Sequence, residues 1–146
     1  KFLLATLHQT EGQTARATAL YRELLAVRPD HPVTLNNLAW LLVQDGRLAE
    51  ALPLARKAAT LAPDNGAVQD TLGWALHRAG QDGEALAVLT RAAALEPKNP
   101  TVHYHLAVVQ RATGDREAAR QSLERALGLS ADFAEADAAR RLLQGP

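Results

Sequence analysis

A period of 34 residues runs through this 146-residue chain and constrains its fold more than any other feature. Leucine, glycine and alanine each recur four times in that register, and proline three times, with Ala131 in the place of a fourth proline. The members are Leu4, Leu38, Leu72 and Leu106; Gly12, Gly46, Gly80 and Gly114; Ala17, Ala51, Ala85 and Ala119; and Pro29, Pro63 and Pro97. A fixed period of this length is typical of a solenoid, in which one supersecondary unit buries its apolar face against the next.

Each repeat predicts two helices. In the second repeat, apolar residues at helical spacing indicate a helix over 33–45, and we expect Gly46 to end it in a left-handed conformation. A second helix over 48–61 stops before Pro63, because proline cannot continue a helix. Pro53 lies inside this helix, where we expect a local bend, as a tolerated kink or a functional hinge. The same pattern predicts further helices over 2–11, 15–27, 67–79, 82–95, 101–113, 116–129 and 133–143.

The register predicts one domain made of four repeats and a final helix. The expected boundaries are a truncated first repeat over 1–31, repeats over 32–65, 66–99 and 100–133, and a capping helix over 134–146. The chain opens at Lys1, inside a repeat and without an initiator methionine, so we expect it to be part of a longer protein. Its localisation therefore stays unknown, since cytoplasm and periplasm are both compatible with it.

Composition argues against several functions. Lys+Arg and Asp+Glu both number 16, which leaves no basic surface for nucleic acid or an anionic membrane. No apolar run approaches the ~20 residues of a membrane span, and the absence of cysteine excludes thiolate metal sites. His103 and His105 point to opposite sides of a helix, and neither Ser122 nor Ser130 lies in a nucleophile elbow. We expect no enzyme activity, no cofactor and no bound metal.

A known repeat pattern matches these offsets. The third repeat carries Leu72-Gly73, Ala85, Ala92 and Pro97, and the second carries Leu38-Ala39, Ala51, Ala58 and Pro63. Over about residues 1–133 the chain resembles the tetratricopeptide repeat (TPR) family. The resemblance implies an all-α fold, a right-handed superhelix (α-solenoid) of antiparallel helix pairs with a C-terminal capping helix. It also implies that the first helices line a concave groove that binds a protein or peptide.

Three segments, 35–42, 70–76 and 103–108, look like the C-terminal repeats of bacterial exopolysaccharide-export and secretion TPR proteins. This likeness implies a protein-binding scaffold within a larger bacterial assembly or export protein. Two alternatives stay open. One is self-association into a homo-oligomer through the open solenoid edges or the truncated first repeat. The other is a regulatory segment of an enzyme whose catalytic domain lies outside this chain.

The tryptophans lie off the main apolar face of their helices. Trp40 is two residues from Leu38 and Leu42, which is ~200° around a helix, so it cannot share their face. Trp74 stands in the same relation to its own neighbouring leucines. Both fall on a second face that we expect to line the groove, and we call its members the groove stripe: Asn36, Trp40, Gln44, Asp70, Trp74, His77, Arg78, Tyr104 and Arg111. Tryptophan, tyrosine and arginine are the usual hot-spot residues of interfaces, so the stripe predicts peptide recognition. The alternative is that both indoles pack only against the neighbouring repeat.

Overall fold

The computed structural model describes residues 1–145, which fold into nine α-helices without any strand. The all-α fold predicted from the sequence is confirmed. None of these helices is long and apolar enough to cross a membrane. Their bounds are α1 Phe2–Thr10, α2 Thr14–Val27, α3 Pro32–Gln44, α4 Leu48–Leu61, α5 Gly66–Arg78, α6 Asp82–Leu95, α7 Pro100–Ala112, α8 Arg116–Leu129 and α9 Ala136–Gln144.

The second helices of the three full repeats, α4, α6 and α8, begin and end at the predicted residues. The first helices, α3, α5 and α7, begin and end one residue earlier than predicted. Their starts are set by the residue before them: Asn65 accepts a hydrogen bond from the Val68 amide at 3.2 Å, and Asn99 caps α7 in the same way. A side-chain acceptor at this position satisfies an amide that has no partner inside the helix. The helix therefore begins directly after the cap.

The first helix of each repeat ends in a left-handed glycine, as predicted for Gly46. The φ angle of Gly46 is 76°, and the glycines at 12, 80 and 114 have φ angles of 76°, 81° and 95°. The Arg47 amide donates to the Leu42 carbonyl at 2.8 Å, and the Gly46 amide donates to the Val43 carbonyl at 3.0 Å. This pair of bonds is the Schellman arrangement, which satisfies carbonyls at a helix end. It turns the chain into the second helix within three residues, 45–47.

The chain divides into two compact units, one over Lys1–Asp64 and the other beginning at Asn65. The first contains α1 to α4 and the second contains α5 to α9. The division falls within one residue of the predicted junction between the second and third repeats. That all four repeats form one domain stays a prediction.

Small residues lie where helices of one repeat meet. The alanines at 5, 17, 39, 51, 85, 107 and 119 are buried, and so is Gly73. Alanine and glycine allow two helix axes to approach closely. In the second unit, α9 continues this packing: Ala139 joins Ala107 and Leu123 in one cluster, and Phe133 packs against it from the turn before α9. The opposite side of α9 is charged, with Arg140 and Asp137 paired at 2.8 Å, as expected of a helix that caps an array.

Pro53 does not interrupt its helix. The helix α4 has 14 residues, the same length as α6 and α8, and continues through Pro53 to Leu61. The expected local bend at this residue stays a prediction.

Candidate functional site

Trp74 of the groove stripe contacts two histidine rings. In the second unit Asp70, Trp74 and His77 are spaced four and three residues apart, so they share one face of α5. The half-buried indole of Trp74 stacks on the His105 imidazole of α7, with ring centroids 4.2 Å apart and planes 20° apart. The His77 ring lies 5.1 Å from the indole centroid at a tilt of 38°. The indole therefore packs against the next helix and still keeps part of its surface exposed.

His105 is the residue that the sequence analysis missed. Its side chain is 2% exposed, and its Nδ1 lies 2.8 Å from Oδ1 of the buried Asp70. Because a carboxylate only accepts hydrogen bonds, Nδ1–H donates to Asp70. His105 stands in register with Thr71, Asn37 and Leu3, on a position outside the stripe. An aromatic ring with polar atoms at that position was the one signal that distinguished it.

His77 is held by an acidic residue of the following helix. Its Nδ1 lies 2.7 Å from Oδ1 of Asp82, the first residue of α6, where a negative charge also complements the helix dipole. His103 is bonded differently, with Nε2 2.8 Å from the Pro97 carbonyl oxygen. No group of three histidine, cysteine or acidic residues within 1–145 is arranged to hold a metal ion.

Tyr104 connects the stripe to the last helix. It packs against the cluster of Ala107, Leu123 and Ala139, and its ring centroid lies 6.0 Å from that of His105. Burial raises the pKa of the Tyr104 hydroxyl above its ordinary value; the Glu135 carboxylate adds to the rise, and Arg141 opposes it. The hydroxyl is therefore protonated at neutral pH and available as a hydrogen-bond donor.

Two arginines complete this part of the stripe. Arg111 on α7 is half-buried, and Arg78 at the end of α5 is exposed. Both lie in the same unit as Trp74 and Tyr104. The second unit thus carries two aromatic rings, a histidine and two cations of the predicted stripe.

The three members in the first unit lie on α3. Asn36 and Trp40 are half-buried and Gln44 is exposed. Oδ1 of Asn36 is buried and accepts no hydrogen bond from any described residue, whereas its Nδ2 lies 3.5 Å from Oδ1 of Asn37. Asn37 in turn donates to the hydroxyl of Tyr21 at 3.3 Å. A buried acceptor without a donor is unfavourable for stability. That the members of the two units form one continuous wall stays a prediction.

A cavity of about 760 Å³ lies away from the stripe, in the first unit. Phe2, Leu24, Val27 and Val33 provide its apolar lining, and the Lys1–Glu23 ion pair borders it. It lies beside the start of α1, which has nine residues where α3 has 13. No member of the groove stripe lines this cavity.

Several solved protein structures have a similar architecture. Among solved structures, MamA of strain AMB-1 is 30% identical, with 88% of this chain and 76% of that chain covered and a TM-score of 0.72. A MamA segment from Desulfovibrio magneticus RS-1 is 20% identical, with 88% and 72% covered and a TM-score of 0.76. YrrB, described as a TPR protein with an unusual peptide-binding site, is 20% identical, with 94% and 71% covered and a TM-score of 0.75. No curated protein sequence matches the chain.

Two family models described as tetratricopeptide repeat match the sequence. One matches residues 2–66, and the other matches residues 42–92 and 76–143. Together with helix pairs that each turn at a left-handed glycine, these matches show that the chain belongs to the tetratricopeptide repeat family.

Proposed function

We propose that this TPR scaffold binds an extended segment of a partner protein along the groove stripe, as part of a larger bacterial assembly or export protein. The observation that carries the proposal is the half-buried Trp74 indole, which stacks on His105 and lies close to His77, with Tyr104 beside His105. Large aromatic side chains that are held in place and partly exposed are the usual anchors of binding surfaces. The peptide-binding site of YrrB supports the idea that this fold carries such a surface.

The first unit contributes polar recognition in this proposal. Asn36 of α3 is half-buried and keeps part of its surface exposed to a peptide. Trp40 and Gln44 lie on the same helix, α3, and provide apolar and polar contact beside it.

The proposed activity is binding without catalysis, cofactor or metal. The serine hydroxyls are engaged with other side chains, Ser122 with Gln110 at 2.7 Å and Ser130 with Asp132 at 3.2 Å. The His77–Asp82 pair resembles part of a catalytic triad, but a triad also needs a nucleophile within hydrogen-bond reach of the imidazole. Elemental analysis of chelator-treated protein tests the metal component, and a stoichiometric metal would contradict it.

Selection of peptides from a random display library on the immobilised protein tests the binding site. The tightest peptides are then measured by calorimetry against wild type, Trp74→Ala, Tyr104→Ala and Arg125→Ala. Arg125 is exposed on α8, which is the second helix of the fourth repeat, and serves as the control. We expect the two stripe variants to weaken binding at least about tenfold and the control to leave it unchanged. Equal affinities in all four proteins would exclude the stripe as the binding surface.

A second candidate, self-association, rests on the outer face of α1. Leu3, Leu4 and Leu7 are 82%, 46% and 51% exposed, whereas the counterparts of Leu4 at 38, 72 and 106 are 2%, 6% and 7% exposed. A cluster of exposed leucines on one helix is a common feature of interfaces between subunits. We propose that a second copy covers this face. Light scattering over a concentration series should then show dimers that Leu3→Glu converts to monomers, and a wild-type monomer at all concentrations would rule this out.

A further inference from the structure

We infer that His105 and Asp70 are positioning residues that hold the Trp74 indole in one orientation for an apolar or aromatic side chain of the bound peptide. This inference rests on the proposed function, because it assigns a specific role to support of the same site. Neither His105 nor its bond to Asp70 was expected from the sequence, and His105 itself is too deeply buried to be a major contact of the partner.

His105 of α7 contacts two residues of α5. Asp70 and Trp74 lie one turn apart on α5, and His105 reaches both of them from α7. The 2.8 Å bond from Nδ1 to the Asp70 carboxylate restricts rotation of the imidazole. The imidazole plane lies 20° from the indole plane, so it covers one face of the indole. Restricting the imidazole therefore restricts the indole that stacks on it.

Satisfying a buried histidine does not require this stack. A buried imidazole needs hydrogen-bond partners, and Asp70 supplies one wherever the indole lies. The bond to Asp70 has a further effect, because the His105 imidazole that it orients also stacks on the Trp74 indole of the stripe. Support of this kind is what fixes a recognition side chain within the narrow range that binding needs.

The arrangement has a consequence for the ligand. Because the imidazole covers one indole face, a peptide side chain meets the remaining surface, which His77 borders at a centroid distance of 5.1 Å. An apolar or aromatic side chain gains most from contact with an indole surface. Loss of the fixed orientation would add an ordering cost on binding and weaken a peptide by roughly three- to tenfold.

The test measures the indole without any ligand. In a Trp40→Phe background Trp74 is the only tryptophan, so its quenching by acrylamide and its near-ultraviolet circular dichroism report on this site alone. We expect His105→Ala to raise the quenching constant about twofold and to reduce the dichroism, because the covered face becomes accessible and mobile. His105→Phe, which retains a stacking ring, should restore most of the wild-type signal. Asp70→Ala should lie between the two.

Unchanged quenching and dichroism in His105→Ala would overturn the inference. A matched series in a Trp74→Phe background follows Trp40, and an equal change there would show general loosening and would also overturn it. Should His105→Ala not fold, Asp70→Ala decides the question, because it preserves most of the packing; wild-type quenching and dichroism in Asp70→Ala would contradict positioning. Failure of the peptide selection would remove the proposed function but would leave these ligand-free signals as they are, so the two failures are distinguishable.

Discussion

Leu89 of α6 fills the space that a side chain at Gly73 of α5 would need. A Cβ atom on residue 73 would lie 2.4 Å from Cγ and 2.7 Å from Cδ2 of Leu89, which is itself fully buried. In the preceding repeat the residues in the same register are Ala39 and Ala55. Glycine in place of alanine on the first helix therefore accompanies leucine in place of alanine on the second helix.

Gly73→Ala should therefore destabilise the second unit. Overpacking costs about 1–3 kcal/mol, and alanine recovers about 1 kcal/mol over glycine inside a helix, so we expect a net loss of up to about 2 kcal/mol. Chemical denaturation measures it. Gly83→Ala is the control, because a Cβ there meets no described atom within 4 Å beyond its chain neighbours and the adjacent backbone of its own helix, and it should be neutral or stabilising. Equal behaviour of the two variants would show that Leu89 does not restrict residue 73.

Ala85→Leu tests the close approach of helices from the other side. Ala85 is fully buried on α6, so the larger side chain should cost about 1–3 kcal/mol. Ala87→Leu on the exposed side of the same helix is the matched control and should change little. Because repeats couple to their neighbours, hydrogen exchange should quicken in α5 and α7 as well as in α6. A denaturation midpoint equal to that of wild type would contradict the assigned register.

Helix positions were predictable because the residues that end helices recur with the 34-residue period. Glycine at 46, 80 and 114 and proline at 63 and 97 mark ends that depend only on local backbone geometry. The one-residue error in α5 and α7 came from placing the helix after Gly66 and Pro100, although Asn65 and Asn99 are strong capping residues. Helix α9 begins at Ala136, three residues later than predicted, because Phe133 is apolar for tertiary packing against the preceding helices.

The site was less predictable than the helices. Trp74 is half-buried whereas Leu72 and Leu76 are buried, a difference that agrees with the angles between these residues around one helix. The stack on His105 and the bond from His105 to Asp70 join residues 31 and 35 positions apart, in different repeats. Such contacts depend on how repeats pack, which the spacing within one helix does not contain. The indole is both packed on His105 and partly exposed, and that it lines a binding groove stays a prediction.

Pro53→Ala should stabilise the first unit. Proline at residue 53 lacks the amide that would bond to the Ala49 carbonyl inside α4, whereas the residues in the same register, Ala19 in α2 and Ala87 in α6, retain theirs. Relief of an interior proline is worth up to about 3 kcal/mol. Pro32→Ala is the control, because proline is well tolerated at the first position of a helix, where it stands in α3. A gain from both substitutions, or from neither, would refute the special cost of residue 53.

Gly46→Ala should destabilise through the backbone alone. The residue has a φ of 76°, and a Cβ there would contact no described atom within 4 Å beyond its chain neighbours. A left-handed conformation costs a residue with a Cβ about 1–2 kcal/mol, whereas asparagine tolerates it better. Thermal unfolding should rank the proteins wild type, Gly46→Asn and Gly46→Ala in falling stability. An alanine variant as stable as wild type would mean that this turn has another accessible geometry.

Trp74→Ala separates binding from folding. If the indole is the anchor of the bound peptide, its removal should weaken the peptides selected on the wild-type protein at least tenfold, or about 1.4 kcal/mol. Leu72 lies two residues away on the same helix and is 6% exposed, so Leu72→Ala should leave a cavity that costs about 2–5 kcal/mol of stability. Because Trp74 retains exposed surface, its removal should cost less stability than that of Leu72 while costing more affinity. Calorimetry for binding and urea denaturation for stability give both quantities on the same samples. If Trp74→Ala unfolds as readily as Leu72→Ala and the folded fraction still binds normally, the indole serves the core alone and the groove loses its principal residue.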